Sequence, residues 1–572
     1  MTQTTELTRS TILAEPELPR ARDLLDQGRQ LARRNPIGPC AFLNHYQVPS
    51  EAEYKRRRMA KGEIMFHAQV GYREPQKSLR ACREIYEQLA KAGYQVDRYG
   101  ICLDFSMGYP TNQRPGMPKG TGLILNGPED FAALTAQAPV AFHFGDFVLG
   151  LPSALENTVA AVQAGATTIG NLGQYFTFRL PHWHDDVFST AETVKALGFI
   201  AAQPAEILIH SNLDDGFVAL YRDLSCGIGQ ALLERYIIEE LCGGIVAHCY
   251  GHVFSEPLSR LAFQIALSEA SPAPGSMIYG NTTSYIEGEE ENYANLAGYL
   301  LIDLLAQQNH PTGHGLNPVP VTEAVRIPEI KEIIAVHLFA NRLAERAKGY
   351  TKLIDFQDAK VLAARMLEGG HKFKQNVLAG LAAAGVDTGD ALEMLLTLRR
   401  LGARRLEDLF GPGQKDQGRR KPLAKAATLS ALESLAEKTV ANLSEEHRRI
   451  LGKSDLKVLV ACTDVHEYGK LLLENVLSLL GVMIVDGGVS ADPEAVANKA
   501  GENEVGAVAI STYNGVALNY LNDLRRSLDA AKVTAPIFIG GKLNQIPSDS
   551  LDSLPVDVSG QLETVGAMVC HN

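Results

Sequence analysis

Cysteine is scarce in this chain and does not have the spacing of a disulfide scaffold. The 572 residues contain eight cysteines. Disulfide-stabilised domains place cysteines densely in short chains, so this scatter excludes a disulfide scaffold and indicates reduced thiols, as in a cytoplasm. The eight positions are Cys40, Cys82, Cys102, Cys226, Cys242, Cys249, Cys462 and Cys570.

Long apolar runs and a surplus of positive charge are also missing. No uninterrupted apolar run is long enough to cross a bilayer, and residues 1–17 are polar and acidic, without the apolar core of a secretory signal. The chain has 54 Lys and Arg against 66 Asp and Glu, a net charge of −12. This balance argues against nucleic acid or an anionic membrane surface as the main partner. We expect a cytoplasmic homodimer whose partner is a small molecule.

The most informative motif lies near the C-terminus. Asp464, His466 and Gly469 form the pattern Asp-x-His-x-x-Gly, directly after an apolar strand-like run (457–462) and before an apolar helix-like run (471–480). A neutral imidazole is a common nitrogen ligand for a transition metal. A carboxylate two residues earlier could accept a hydrogen bond from the other ring nitrogen and fix the tautomer. The motif therefore predicts a metal-ligating histidine at a strand end.

Two later strand-like runs end in small residues. Ser511 ends one such run, and Gly540 with Gly541 follows the run 536–539. A serine hydroxyl can hydrogen-bond a ligand, and glycines let a ligand approach the backbone closely. Strands alternating with helices over 454–572 predict a parallel sheet of the flavodoxin type, in which ligands bind at the carboxyl ends of the strands.

Five apolar runs upstream end in or lie next to histidine or asparagine, and a helix-like pattern follows each. This recurrence predicts a (β/α)8 TIM-like barrel with its site at the carboxyl ends of the strands. The runs cover residues 140–143, 167–171, 206–210, 245–248 and 276–281.

The region between the two predicted sheets has a different composition. Residues 327–410 show helical periodicity, and residues 411–422 combine Gly, Pro and charge with almost no apolar side chains, which is typical of a linker. A chain of this length is too long for one core. The predicted α/β architecture has an N-terminal helical arm (1–60), a TIM-like barrel substrate domain (61–345), a helical region with linker (346–453) and a flavodoxin-like, Rossmann-type domain (454–572).

Taken in order, Asp-x-His-x-x-Gly, a serine after a strand and Gly-Gly after the next strand resemble the binding domain for base-off, His-on cobalamin (vitamin B12). With a barrel before it, the chain resembles the adenosylcobalamin-dependent carbon-skeleton mutases, closest to glutamate (methylaspartate) mutase, with two subunits fused. The resemblance covers the whole last domain and, in patches, residues 141–146, 164–171 and 328–346. It implies that His466 ligates the cobalt. The other residues that it assigns to the cofactor are Asp464, Gly469, Ser511, Gly540 and Gly541.

The resemblance implies an isomerase that rearranges a small acid through radicals, with adenosylcobalamin as cofactor. This chain departs from the family at the substrate side. His143 stands where the family has a substrate-binding arginine, and Asn171 stands where it has a catalytic glutamate. The family's lysine and glutamate near the adenosyl ribose are missing around 279–281 and Ser284. Glutamate is therefore not the expected substrate. The residues predicted to contact substrate or adenosyl group are Arg114, His143, Asn171, Tyr175 and Arg179.

A second group of residues leaves an alternative function open. Cys242, His248, Cys249 and His252 have ligand-like spacing. A zinc ion there would favour a corrinoid-dependent methyltransferase that activates a thiol. The run that contains His248 and Cys249 reads as a strand, however, and alternation would point these two side chains to opposite faces.

Two further hypotheses remain open. His182 and His184, beside two aspartates, form either a metal site or a polar loop. A non-catalytic cobalamin carrier or sensor is a third class of function. The predicted barrel argues against it, because a sensor needs only a small helical cover.

Overall fold

The computed structural model describes residues 7–213, 221–251, 256–280, 285, 288–324, 326–416, 419–452, 455–464, 466–513, 515–547 and 554–571. Over these residues the chain is a mixed α/β protein that divides into two compact units. The second unit begins at Ala427 and also includes Phe178–Trp183, and the first unit contains the other described residues up to Ala426. None of the helices within these ranges is both long and apolar enough to span a membrane.

Eight strands of the first unit pair only in parallel. They form two sheets in the orders β3-β2-β1-β8 and β4-β5-β6-β7, and an isolated parallel bridge between Phe144 and Ile169 connects β3 to β4. The described strands therefore follow one another as 8-1-2-3-4-5-6-7. Their bounds are β1 (Met65–Val70), β2 (Arg98–Ile101), β3 (Ala141–His143), β4 (Thr168–Ile169), β5 (Leu208–Asn212), β6 (Ile245–Tyr250), β7 (Met277–Ile278) and β8 (Gly315–Leu316).

The prediction of an α/β chain with parallel sheets is confirmed. Strands β3 to β7 coincide with the five runs predicted from the sequence, whereas β1, β2 and β8 were not predicted. Parallel neighbours need crossover connections, and helices supply them. The helices are α1 (Arg9–Ile12), α2 (Ala21–Ala32), α3 (Ala41–Tyr46), α4 (Glu51–Ala60), α5 (Pro75–Lys91), α6 (Pro128–Thr135), α7 (Ala154–Gln163), α8 (Gln174–Thr177), α9 (Asp186–Ala201), α10 (Leu224–Arg235), α11 (Pro257–Ala270), α12 (Glu289–Asn309), α13 (Ile330–Ala347), α14 (Gln357–Ala383) and α15 (Ala391–Phe410).

The region predicted to be helical contains α13, α14 and α15. On α13, Val336, Ala340 and Ala347 are buried at spacings that place them on one helix face. They join Phe66 of β1 and Leu300 of α12 in one apolar cluster. Burial of this stripe against a strand and a helix explains why the segment is helical and where it packs.

The segment predicted as a linker is folded against the first unit. β9 (Lys415–Asp416) pairs antiparallel with β10 (Arg419–Arg420). The next residues are hydrogen-bonded too, since the Asp223 carboxylate accepts the backbone N–H of Leu423 at 2.8 Å. On either side of residues 417 and 418, the described residues of this segment are thus joined by backbone hydrogen bonds.

The second unit is built on a five-stranded parallel sheet in the order β12-β11-β13-β14-β17, with a small antiparallel pair, β15-β16. Its strands are β11 (Lys457–Cys462), β12 (Met483–Gly488), β13 (Ala507–Thr512), β14 (Ile537–Gly541), β15 (Asn544–Gln545), β16 (Val556–Asp557) and β17 (Met568–Cys570). Its helices are α16 (Ala427–Asn442), α17 (Glu445–Gly452), α18 (Tyr468–Leu479), α19 (Pro493–Glu502), α20 (Ala517–Ala530) and α21 (Ser559–Thr564).

Helix α19 shows how local sequence signals specify the elements of this unit. Asp492 caps it by accepting the backbone N–H of Glu494 at 2.9 Å, and Pro493 occupies its first turn. Val496 on α19 then packs into the core with Leu459 from β11. Cap, proline and apolar face all specify the same helix.

Candidate functional site

The predicted residues of the second unit meet at the carboxyl end of its sheet. The strand register places Cys462 beside Ser511, Ser511 beside Gly540, and Thr512 beside Gly541. Because these strands are parallel, the pairs lie at one edge of the sheet. The Asp-x-His-x-x-Gly motif starts two residues after Cys462, at the same edge.

The Asp464 carboxylate is the centre of a hydrogen-bond network at this edge. Its Oδ1 pairs with Nδ1 of His466 and accepts the His466 backbone N–H at 2.8 Å. Its Oδ2 accepts the Thr463 hydroxyl at 3.0 Å and the Tyr513 backbone N–H at 3.2 Å. An ionised carboxylate only accepts hydrogen bonds, so Nδ1 carries a proton and the lone pair of the neutral ring is on Nε2.

The charge of Asp464 is maintained by its neighbours. Burial of this residue, which is 8% exposed, works against the ionised form. The His466 ring and the hydrogen bonds outweigh burial and hold the pKa of Asp464 below its usual value. The carboxylate is thus ionised at neutral pH, where its hydrogen bond fixes the tautomer and the orientation of the His466 ring.

Close packing explains the glycines of the motif. A Cβ added at Gly469 would lie 2.5 Å from the Ser511 hydroxyl oxygen and 3.5 Å from the Ser511 Cβ, so a side chain there would displace this hydroxyl. Gly541 has φ +100°, and a Cβ there would lie 2.3 Å from the Thr512 carbonyl oxygen. Gly540 is less constrained, because its added Cβ would be 3.3 Å from that of Cys570.

Two residues that the sequence interpretation missed support this arrangement. The Tyr513 ring lies beside the His466 ring, with centroids 4.3 Å apart. Lys470 is 1% exposed, and its ammonium group pairs with Glu474 at 2.5 Å and with Asp486 at 2.8 Å. A lysine at the start of an apolar helix could have predicted this ion pairing, because a buried ammonium group requires acidic partners.

In the first unit, His143 ends β3 as a buried side chain. Its Nδ1 lies 3.2 Å from the Thr168 carbonyl oxygen, and its ring meets that of His210, from β5, edge to face at 4.5 Å. Burial, and then the positive charge of Arg98, lower the pKa of both imidazoles well below the usual value. Both rings are therefore neutral at pH 7.

Asn171 lies one residue beyond the Gly170 that follows β4, and it is fully buried. Its Oδ1 accepts the backbone N–H of Asn212 at 2.7 Å. Its Nδ2 finds no hydrogen-bond partner among the described groups. The structure thus brings two predicted residues, His143 and Asn171, to the ends of adjacent strands.

The other three residues predicted to contact substrate or adenosyl group have the following surroundings. The buried Arg114 guanidinium donates to the Leu125 carbonyl at 2.9 Å and holds its own loop together. The Tyr175 hydroxyl is buried and accepts from Gln230 at 3.2 Å. Arg179 belongs to Phe178–Trp183, which is part of the second unit, and donates to the Phe178 carbonyl at 2.9 Å.

The suggested metal ligands are placed as follows. The His248 ring is buried between the Ser271 hydroxyl, at 2.8 Å, and the Glu234 carboxylate, at 3.1 Å. Cys242 is buried, and burial raises the pKa of its thiol to about 12. His252 lies outside the described residues. Across the part of the chain that the structure describes, no three His, Cys, Asp or Glu residues, His182 and His184 included, are grouped to hold a metal ion.

No family model matches this chain, and no curated protein matches its sequence.

Proposed function

We propose that this protein is an adenosylcobalamin-dependent radical mutase that rearranges the carbon skeleton of a small acid other than glutamate. In this proposal the second unit is a flavodoxin-like cobalamin-binding domain, and the first unit is a (β/α)8 barrel that binds the substrate. The strand order 2-1-3-4-5 of the second unit supports the former. The succession of eight parallel strands in the first unit supports the latter.

The observation that carries the proposal is the Asp464–His466 pair. A ligand to cobalt needs a neutral imidazole with one nitrogen held by a hydrogen bond and the other offering its lone pair. The pairing of Nδ1 with an ionised carboxylate is that arrangement, and it lies at a strand carboxyl end. His466 would ligate the cobalt through Nε2.

Small residues surround the pair. Gly469 packs closely against Ser511, and Gly541 packs closely against Thr512, at the carboxyl ends of the strands. Ser511, Gly540 and Gly541 would hold the displaced nucleotide tail of the cofactor. The chemistry that adenosylcobalamin supplies when bound is a carbon-centred radical that removes a hydrogen atom from the substrate.

The first unit would bind and orient the substrate through uncharged groups. His143 and Asn171, at the ends of adjacent strands, offer a neutral imidazole and an amide. Neither group matches a guanidinium as the partner of a carboxylate, because neither is charged and neither forms the two parallel hydrogen bonds of arginine. This supports a substrate other than a dicarboxylate such as glutamate.

The upper ligand of the bound cofactor tests the proposal. The full chain is produced in cells supplied with cobalamin, and the corrinoid that co-purifies is identified by mass spectrometry in the dark. We expect adenosylcobalamin in wild type and a strongly reduced cobalamin content in His466→Ala. Recovery of methylcobalamin with methyl transfer to a thiol would support a methyltransferase instead. Recovery of no corrinoid, and no binding of added adenosylcobalamin, would contradict the proposal.

A further inference from the structure

The hydrogen bond to Asp464 holds one end of the His466 imidazole but does not fix the plane of the ring. Nδ1 pairs with Oδ1 of Asp464, but the torsion that turns a histidine ring about its bond to Cβ has broad minima. A hydrogen bond remains favourable at donor angles down to about 150°. The ring could therefore tilt by roughly 30° without losing this bond, and the lone pair on Nε2 would turn with it.

The ring of Tyr513 lies over one face of this imidazole. The two ring centroids are 4.3 Å apart and the planes are inclined by 30°, which is closer to a stack than to an edge-to-face contact. A tilt toward Tyr513 would bring atoms of the two rings into collision, and a tilt away would lose their contact. The lone pair on Nε2 lies in the plane of the imidazole, so a ring over the face does not occupy the direction in which this lone pair points.

The main chain that carries the Tyr513 ring is itself held at two points. Its N–H donates to Oδ2 of Asp464 at 3.2 Å. The carbonyl of the preceding residue, Thr512, accepts the N–H of Lys542, directly after β14, at 2.8 Å. The carboxylate that holds Nδ1 of His466 therefore also holds the residue whose ring covers the imidazole, and it does so through a main-chain donor.

Core packing does not account for an aromatic residue at this position. Tyr513 is 42% exposed, whereas the His466 side chain is only 11% exposed. Stability from apolar burial scales with the area removed from water, so a half-exposed ring contributes less to the core than a buried one. A substitution at Tyr513 therefore reports chiefly on its contact with His466.

We infer that Tyr513 is a positioning residue whose ring sets the plane of the His466 imidazole and thereby the direction in which Nε2 presents its lone pair. Asp464 selects the nitrogen that is offered, and Tyr513 selects its direction. The inference rests on the proposed function only in naming cobalt as the atom that Nε2 meets, since the two rings can be studied in the chain without cobalamin.

Ring dynamics in the full chain, without added cobalamin, test the inference by NMR. Histidine rings carry carbon-13, histidine and tyrosine rings are protonated in an otherwise deuterated chain, and the His466 signal is assigned by its loss in His466→Ala. In wild type and in Tyr513→Phe, which keeps the ring, we expect a rigid imidazole with an order parameter of about 0.85 and an upfield ring-current shift. In Tyr513→Leu, which keeps the main-chain donor to Asp464, the order parameter should fall below about 0.6 and the upfield shift should disappear.

Two controls separate this contact from a general loosening of the fold. Tyr350→Leu removes a tyrosine that is 45% exposed in the first unit and should leave the His466 signal unchanged. Thermal unfolding followed by circular dichroism shows whether each variant is folded, and cross-relaxation between the Tyr513 and His466 ring protons tests the stack in wild type itself. The inference is wrong if Tyr513→Leu leaves the His466 ring as ordered as in wild type, if Tyr513→Phe disorders it as much as Tyr513→Leu, or if wild type shows no such cross-relaxation.

Cobalamin binding tests whether the orientation of the imidazole matters to the cofactor. Absorbance titration with adenosylcobalamin should give an affinity about threefold to tenfold lower for Tyr513→Leu, the range expected for one aromatic pair, and the wild-type affinity for Tyr513→Phe. Equal affinities of wild type and Tyr513→Leu would overturn the positioning role. If wild type binds no cobalamin while Tyr513→Leu disorders the imidazole, the mutase proposal fails and the effect of Tyr513 on the plane of His466 stands.

Discussion

The imidazole of His466 lies against the ring of Tyr513, with centroids 4.3 Å apart and planes inclined by 30°. The backbone N–H of the same Tyr513 donates to the Asp464 carboxylate at 3.2 Å. Tyr513, directly after β13, thus contacts both members of the Asp464–His466 pair: its ring contacts His466, and its main chain contacts Asp464. The orientation of the proposed cobalt ligand therefore depends on contacts from two strand ends.

Replacement of Asp464 by asparagine should weaken cobalamin binding. The amide would keep one accepting oxygen, but its NH2 group would face either the donors of Thr463 and Tyr513 or those of His466. We expect an affinity about 10–100-fold lower, the usual effect of losing such a partner of a metal ligand. Absorbance titration with adenosylcobalamin measures it. Asp529→Asn, at an exposed position of α20 in the same unit, is the control and should bind as wild type does.

Replacement of Gly469 by alanine should disturb the same site through a steric clash. Its Cβ would meet the Ser511 oxygen at 2.5 Å, so the Ser511 hydroxyl has to turn away from its position or the backbone has to shift. We expect a lower melting temperature and cobalamin affinity reduced at least about tenfold, an effect in the range for overpacked sites. The double variant Gly469→Ala with Ser511→Gly should recover the melting temperature. A single variant with unchanged stability and affinity would show that the contact is not tight.

The ion pair between Glu15 and Arg400 should make stability depend on pH. The Arg400 guanidinium donates to both Glu15 oxygens, at 2.7 and 2.8 Å, and this hydrogen bonding lowers the pKa of Glu15 to about 2. A carboxylate with a lowered pKa in the folded state stabilises the fold above its ordinary pKa, and the contribution disappears as the pH falls from about 4.5 toward 2. The Glu15 side chain is 33% exposed, so solvent screening limits the contribution to about 1 kcal/mol.

The variant Glu15→Gln isolates this contribution. At pH 7 it should unfold at a lower temperature than wild type, and at pH 3 the difference should shrink. Thermal unfolding followed by circular dichroism at both pH values measures this. An equal difference at both pH values would mean that the side chain acts through packing and not through its charge.

The second unit was more predictable than the first for a physical reason. Its central strands, such as β11, are continuous apolar runs, because both faces of the sheet are covered. In the first unit, β1 alternates apolar residues with His67 and Gln69, and β2 carries Arg98 and Gly100, so no apolar run marks either strand. The two-residue β8 is too short to leave a pattern at all.

Prediction of the candidate residues from the sequence was limited in a similar way. Neighbouring strand ends could be inferred from spacing, and Ser511 and Gly540 were predicted together for this reason. The structure pairs these two residues in register. Side-chain partners at long range could not be. The use of Arg114 to hold its own loop, and the contact of Tyr513 with His466, depend on tertiary structure that no local pattern encodes.

The axial ligand of cobalt tests the central claim most directly. The full chain, labelled with nitrogen-15 histidine, is loaded with cob(II)alamin, and its EPR spectrum is compared with that of the unlabelled chain and of His466→Ala. We predict that each cobalt line is split into a triplet by one nitrogen in unlabelled protein and into a doublet in labelled protein, and that His466→Ala loses the label-dependent splitting. The account would be contradicted if the splitting does not change with the histidine label and changes instead when the benzimidazole of the cofactor carries nitrogen-15.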